Sequence, residues 1–477
     1  MRERRVDVAI IGAGTAGLAA RREVAARGAD YALIERGPYG TTCARVGCMP
    51  SKLLIAAGDV AQHARDAGVF GVVVPEVTID GRAVMERVRR ERDRFVGFVL
   101  EGTSALSPEN RIEGSARFVG PNELLVDEHT RVIAKTTVIA TGSTPLVPPS
   151  LDRVRDRVMT SDDVFELREL PKSMLVLGTG IIGLELGQAF ARLGVRVAFL
   201  STGEQLGPLS DPALRVKASA LYGRDLDLHL SATNIEVEPR GEHGVTARWH
   251  DAHGEHDESY DAVLVAIGRR PNLATLGLDA ANVTLDARGM PSFDRNTMQI
   301  EGAPIFLAGD VDGERGLLHE AADEGRIAGS NAATYPKVEP QRRTTPLAVM
   351  FATPQIATVG KAHRELDPAT IVVGEVSYDD QGRARVMNEH HGLVHLYADK
   401  RSGELLGAEM LGPRVEHTAH LLAWAIEQRL TIARMLQMPF YHPVFEEGIR
   451  TALRDAASKL DIIAAPEPNQ LDCAPGS

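Results

Sequence analysis

Two of the chain's three cysteines, Cys43 and Cys48, lie five residues apart in YGTTCARVGCMPSK at residues 39–52. A pair of that spacing at the start of a helix admits two chemistries. A structural zinc needs about four ligands, and the remaining cysteine, Cys473, stands close to the C-terminus, so no metal ligand is assigned. A redox dithiol fits better, because a helix N-terminus and the nearby Lys52 would lower a thiol pKa and ready a thiolate for disulfide exchange. Two unconnected buried cysteines are the bland reading, which the flanking glycines disfavour.

Two further motifs could cradle phosphates. VDVAIIGAGTAGLAA at residues 6–20 and SMLVLGTGIIGLELG at residues 173–187 each run from an apolar strand through G-x-G-x-x-G into a helix-compatible stretch. In the first, Gly12 permits the tight bend, Gly14 lets the backbone approach a pyrophosphate, and Gly17 lets helix and strand close up. Glu35 ends the following strand, YALIER, where a carboxylate would grip both hydroxyls of an adenosine ribose. The second turn repeats the pattern with Gly178, Gly180 and Gly183, but Ser201 stands at the acidic position. Arg192 and Arg196 precede that strand end and Glu204 follows it, leaving no arginine pair for a 2′-phosphate, so NADH is favoured over NADPH.

The elements that must position these groups follow the same grammar. TTVIATGSTP at 136–145, AVLVAIGRRPN at 262–272 and IFLAGDVDG at 305–313 read as buried parallel strands delivering glycine loops to a ligand crevice. From about residue 345 the glycine turns give way to strand-like HGLVHLYAD and amphipathic HTAHLLAWAIEQRL, marking a further domain. APEPNQLDCAPGS, with three prolines, puts residues 462–477 in a disordered tail. At roughly 150 residues per domain, 477 residues predict about three domains.

A hydrophobic share of 44% with 25% charged residues suits a folded globular chain. The net charge of −12 speaks against nucleic acid or an anionic membrane as the main partner. MRERRVDVAIIGAG reads as a first strand rather than a leader, and no apolar run reaches the roughly 18–20 residues of a membrane span. The scarcity of cysteine fits a reducing cytoplasm.

From residue 6 to about 461 the sequence resembles the class I pyridine nucleotide-disulfide oxidoreductases. The resemblance runs through the FAD turn, T-C-x-x-x-G-C-x-P-S-K, ATGSTP, the second glycine turn, AIGRRPN, AGD, TPQIATVG and HPVFEEG. It implies an α/β fold of two Rossmann-like dinucleotide-binding domains, for FAD and NAD(P), with a C-terminal α+β dimerisation domain. The implied segments are 1–150 for FAD, 151–274 for NAD(P), 275–344 completing the FAD domain and 345–461 for the interface.

The resemblance also implies roles. Cys48 would face the flavin, and Cys43 would be the exposed interchange thiol. Lys52 would pair with Glu185 beside the flavin ring. Asp310 would bind the ribityl chain, with Leu318 and His319 close to the ring. Ala116, Thr141, Gly142 and Gly268 are further cofactor positions. His442 would be the acid/base serving the dithiol of a second subunit, oriented by Glu447, since a carboxylate raises imidazole basicity and fixes its tautomer.

LLHEAADEG and GIIGLELG are closer to the lipoamide branch than to the glutathione branch, so a homodimeric dihydrolipoamide dehydrogenase acting on a separate lipoyl partner is expected. The alternatives are a mercuric- or glutathione-reductase-like enzyme, and a non-catalytic redox-sensing flavoprotein subunit. The intact dithiol, Lys52, His442 and Glu447 speak against the last. Thr41, Val444 and Glu446 depart from the family pattern around the substrate pocket. His390, His391 and His395 are expected on an exposed sheet rather than at a metal, and Cys473 as a spare thiol.

Overall fold

The computed structural model describes residues 1–460; the tail 462–477, Cys473 included, lies outside the described residues. The chain forms two compact units. The first joins Met1–Leu53, Glu86–Leu146 and Gly268–Arg343, and the second holds Leu54–Met85, Val147–Ile267 and the chain from Thr344 onward.

The first unit is built on a seven-stranded sheet. Its central strand, Arg2–Ile11, runs parallel to Tyr31–Glu35 on one side and to Thr130–Ile139 on the other. The last residues of Thr130–Ile139 also pair in parallel with Ile305–Leu307. Val8, Ala9 and Ile10 are fully buried, as parallel strands covered on both faces require. The sheet is not parallel throughout, however. Ala116–Gly120 and Glu123–Val126 form an antiparallel hairpin that extends it through Thr130–Ile139.

Helices Thr15–Ala26 and Leu318–Thr334 approach backbone to backbone. A Cβ on Gly325 would lie 2.1 Å from the Ala16 carbonyl oxygen, and one on Gly329 would lie 2.5 Å from that of Ala20. Only glycine fits at either crossing.

In the second unit, Asp227–His229, Arg196–Leu200, Ser173–Leu177, Ala262–Val265 and Val158–Met159 form a five-stranded parallel sheet in that order. A three-stranded antiparallel sheet spans Thr233–Tyr260. From Leu347, a five-stranded antiparallel sheet is covered by helices Val415–Glu427 and Glu447–Lys459.

His395 departs from its expected place on an exposed sheet. Strand Leu393–Asp399 is buried on both faces along most of its length. His395 is buried there between Asp211, 2.7 Å from Nδ1, and Glu375, 2.9 Å from Nε2, because burying an imidazole demands partners for both nitrogens. No helix among the described residues is long and apolar enough to cross a membrane.

Candidate active site

The cysteine pair is held by two consecutive helices. Cys43 sits in the short helix Thr42–Val46, and Cys48 opens the nineteen-residue helix Cys48–Asp66. Gly47 between them leaves little room for a side chain: a Cβ would lie 3.1 Å from the Thr42 carbonyl oxygen and 3.2 Å from Cys43 Cα. Thr41, where the family usually has glycine, takes φ +57°, a left-handed conformation unfavourable for a β-branched residue. Its hydroxyl accepts the Ala44 N–H at 3.3 Å, so a cap partly offsets that strain.

Neither thiol is in a disulfide. Cys43 is pushed far above the usual thiol range, first by its side-chain hydrogen bond with Cys48, then by burial and by the charge on Cys48; the pull of Lys52 is the smallest influence. Hydrogen bonding and burial thus favour the protonated form of Cys43. Cys43, inside the short helix, is half-buried, while Cys48, at a helix start, is exposed.

The two glycine turns match atom for atom. A Cβ would lie 2.3 Å from the Ala140 carbonyl oxygen at Gly12 and 2.5 Å from that of Ala266 at Gly178. At Gly17 and Gly183 it would lie 1.8 and 2.0 Å from the carbonyl oxygens of Gly12 and Gly178. Both first glycines take φ +106°. Gly14 and Gly180, by contrast, have open space where a side chain would stand, and each caps a helix with no side chain bonded to its first amides. Those amides fit a pyrophosphate, and a Cβ would fill the cradle.

Glu35 is fixed at the first turn by the N–H groups of Ala13 at 2.7 Å and Gly37 at 2.8 Å. Ser201 follows strand Arg196–Leu200, and its hydroxyl accepts the Gly203 N–H at 3.3 Å.

Thr141, Gly142 and Gly268 lie where the chain crosses between glycine loops. Ser143–Pro145 and Arg269–Pro271 pair there as a short antiparallel ribbon. Gly142 at φ +66° and Gly268 at φ +126° both have open space beside Cα. Asp310 opens a 3-10 turn, and its Oδ2 accepts the Ser143 hydroxyl at 2.9 Å. Arg269 in turn donates to Ser143 Oγ at 2.8 Å. Leu318 and His319 are exposed on the first turn of Leu318–Thr334, whereas Ala116 is buried in its hairpin.

Sequence reasoning missed Asn272. It accepts the Thr141 hydroxyl on its backbone carbonyl at 2.8 Å, donates to the Thr141 carbonyl at 2.9 Å and accepts from Thr144 at 2.7 Å. Its only signal was its place at the end of AIGRRPN.

Glu185 is buried in helix Ile181–Arg192, and its carboxylate accepts the Phe351 N–H at 2.8 Å. His442 and Glu447 meet as expected: His442 Nδ1 lies 2.9 and 3.1 Å from the two Glu447 oxygens. The Glu447 side chain is 6% exposed and the His442 side chain 51%, so the carboxylate anchors one nitrogen and leaves Nε2 outward. Val444 serves through its backbone. Its N–H donates to Glu447 at 3.2 Å, and its carbonyl accepts from buried Gln381 at 2.7 Å, a second residue the sequence did not single out.

Comparison with known proteins agrees with this geometry. Residues 6–325 match the family model "Pyridine nucleotide-disulphide oxidoreductase", and residues 347–453 match its dimerisation domain. A dihydrolipoyl dehydrogenase of Bacillus subtilis strain 168 is 30% identical over 94% of this chain and 98% of its own length. Dihydrolipoyl dehydrogenase 3 of Pseudomonas aeruginosa is 32% identical over 94% and 97%. Among solved structures, HOCl-induced flavoprotein disulfide reductase RclA from Escherichia coli superposes with a TM-score of 0.77 at 25% identity, covering 95% of this chain and 99% of that one. With two glycine cradles, a paired dithiol and a matching dimerisation domain, the chain belongs to the pyridine nucleotide-disulphide oxidoreductase family, an FAD- and nicotinamide-dependent class of enzymes.

Proposed function

We propose that the protein is a dihydrolipoyl dehydrogenase of the cytoplasm, oxidising a dihydrolipoyl dithiol at the expense of NAD. The observation that carries this reading is the Cys43–Cys48 pair, set in hydrogen-bonding contact where helix Cys48–Asp66 begins, with the Cys43 thiol pushed up by that contact and by burial. FAD, when bound, supplies two-electron exchange between that dithiol and the nicotinamide. Gly14 and Gly180 would admit the two pyrophosphates, Glu35 and Asp310 would hold the FAD ribose and ribityl chain, and Lys52 with Glu185 would stand beside its ring.

In the oxidised enzyme a substrate thiolate attacks Cys43 Sγ, the Cys43–Cys48 bond breaks, and Cys48 leaves as thiolate. The second substrate thiol gives its proton to His442 Nε2 of the other subunit, closes the substrate disulfide and expels Cys43. The relatives named dihydrolipoyl dehydrogenase support this substrate. Ser201, without a basic clamp, supports NAD.

Anaerobic NADH should raise a long-wavelength charge-transfer absorbance that Cys48→Ser abolishes and Cys43→Ser retains; a band that survives in Cys48→Ser overturns the assignment. Steady-state assays with lipoamide, glutathione disulfide and Hg(II), each with both nicotinamides, decide the substrate. Thr41, Val444 and Glu446 depart from the family pattern around the substrate pocket, and the second reading is a disulfide or mercuric reductase. That reading gains if dihydrolipoamide is not oxidised while NADPH is consumed with one of the other acceptors.

A further inference from the structure

One cluster of metal-ligating side chains lies outside the dithiol and the nucleotide turns, where strand Asp227–His229 meets the hairpin of Gly244–Asp251 and Gly254–Tyr260. The hairpin sets Trp249 opposite His256 and Asp251 opposite Gly254. Asp251 thereby stands between two imidazoles: its Oδ2 is 2.6 Å from His229 Nδ1, and its Oδ1 is 2.9 Å from His256 Nε2. The far nitrogen of His229 faces Asp227 Oδ1 at 3.1 Å. The indole of Trp249 stacks on His256 at 4.7 Å and meets His229 edge-on at 4.8 Å, walling one side.

Two ring nitrogens are hydrogen-bonded to Asp251, while His229 Nε2, 3.1 Å from Asp227, is buried without a hydrogen-bond partner. Neutral imidazoles can satisfy the two bonds to Asp251 as N–H donors, or present lone pairs to a metal ion held between the rings and the carboxylate. A metal fits the rest of the arrangement. When Nε2 of His229 carries its proton toward Asp227, Nδ1 presents its lone pair toward Asp251, which is the carboxylate–histidine–metal relation that orients metal-ligating imidazoles. One atom from each of His229, Asp251 and His256 lies within 4.8 Å of the others. Metal–ligand bonds of about 2.0–2.2 Å need donors roughly 3–4 Å apart, so shifts of the order of an ångström would close the site. Side-chain exposure of 2% at Asp251, 8% at His229 and 19% at His256 leaves entry from the His256 side.

We propose that His229, Asp251 and His256 bind a divalent first-row transition ion of the zinc or copper class, with Asp227 fixing the His229 ring. Two imidazoles with one carboxylate suit these ions rather than calcium or magnesium, and water completes the coordination. His229 also accepts the Ser201 N–H on its carbonyl at 3.0 Å, so the ion stands behind the loop that carries Ser201.

The test uses FAD-loaded enzyme with its dithiol oxidised and Cys473 replaced by Ser, so that neither thiol site competes. Titration calorimetry with Zn(II) and Cu(II) should give one ion per chain. His256→Ala and Asp251→Asn should weaken it by about 100-fold or more, and the Cu(II) EPR spectrum should show two nitrogen couplings that fall to one in His256→Ala. Where Asp251→Asn fails to fold, His256→Gln at the more exposed ligand gives the same reading. No ion bound by the parent, or equal affinity and unchanged nitrogen couplings in His256→Ala, overturns the proposal and leaves the cluster as a hydrogen-bonded triad.

Discussion

At the scale of single residues, the site depends on which atom holds a proton. Glu447 is a positioning residue: buried at the start of Glu447–Lys459, it anchors His442 Nδ1 and also receives the Val444 N–H. Glu447→Gln keeps the shape but replaces one accepting oxygen by a donor, so it no longer fixes the His442 tautomer. The expected outcome is a fall in kcat with dihydrolipoamide of about 10- to 100-fold. Anaerobic reduction of the enzyme by NADH should proceed at the parental rate. Equal slowing of both half-reactions would assign Glu447 to structure alone. Sequence shows a pair and its spacing, but the hydrogen bond that raises the Cys43 thiol depends on how the five-residue helix sets it against Cys48.

At the scale of elements, strand–turn–helix units were legible because their geometry is local: within six residues one glycine must bend, one must stay open and one must admit a carbonyl. The structure separates those duties by distance, and the separation is testable. Gly17→Ala places a methyl 1.8 Å from the Gly12 carbonyl oxygen and should prevent the first unit from folding, read as loss of soluble, FAD-loaded protein. Gly14→Ala and Gly180→Ala meet nothing in the protein itself. Gly14→Ala should retain its circular dichroism and lose FAD. Gly180→Ala should retain FAD and raise the KM for NADH about tenfold, the equivalent of about 1.4 kcal/mol. Equal effects of Gly14→Ala and Gly17→Ala on folding would contradict the division. The antiparallel hairpin at Ala116–Val126 and the WHDAHGEH hairpin escaped the sequence because their meaning lies in cross-strand partners. Trp249 opposite His256 is not visible from composition or period.

At the scale of the whole chain, the least legible features are buried charge networks whose members are far apart in sequence, such as His395 with Asp211, 184 residues away. These networks set the pH limits of stability. In the second unit, burial alone would raise Asp211, but hydrogen bonds from His395 and Tyr397 override it and hold the carboxyl at about 2. A depressed carboxyl contributes above its unfolded value, and that contribution is lost as pH falls through about 2. In the first unit, Arg343 lies 2.6 Å from Glu320 and 2.5 Å from Glu324, whose other oxygen accepts the Gly309 N–H at 2.7 Å. Burial, reinforced by the neighbouring Asp312, outweighs that guanidinium and pushes Glu324 up to about 8. Asp312 itself is raised to about 6, chiefly by burial. For a carboxyl raised in the fold the sign is opposite: its contribution is full below the unfolded value and is lost as pH rises through about 8. The first unit should therefore weaken between about pH 4.5 and 8, by the order of a few kcal/mol, and change little above that. Glu324→Gln, which keeps the size and removes the titration, should flatten that decline while leaving the acid limb of the Tm–pH profile in place. A parental Tm that does not fall between about pH 4.5 and 8, or a Glu324→Gln profile parallel to it, would show that the buried pair is ionised throughout and that Arg343 dominates it.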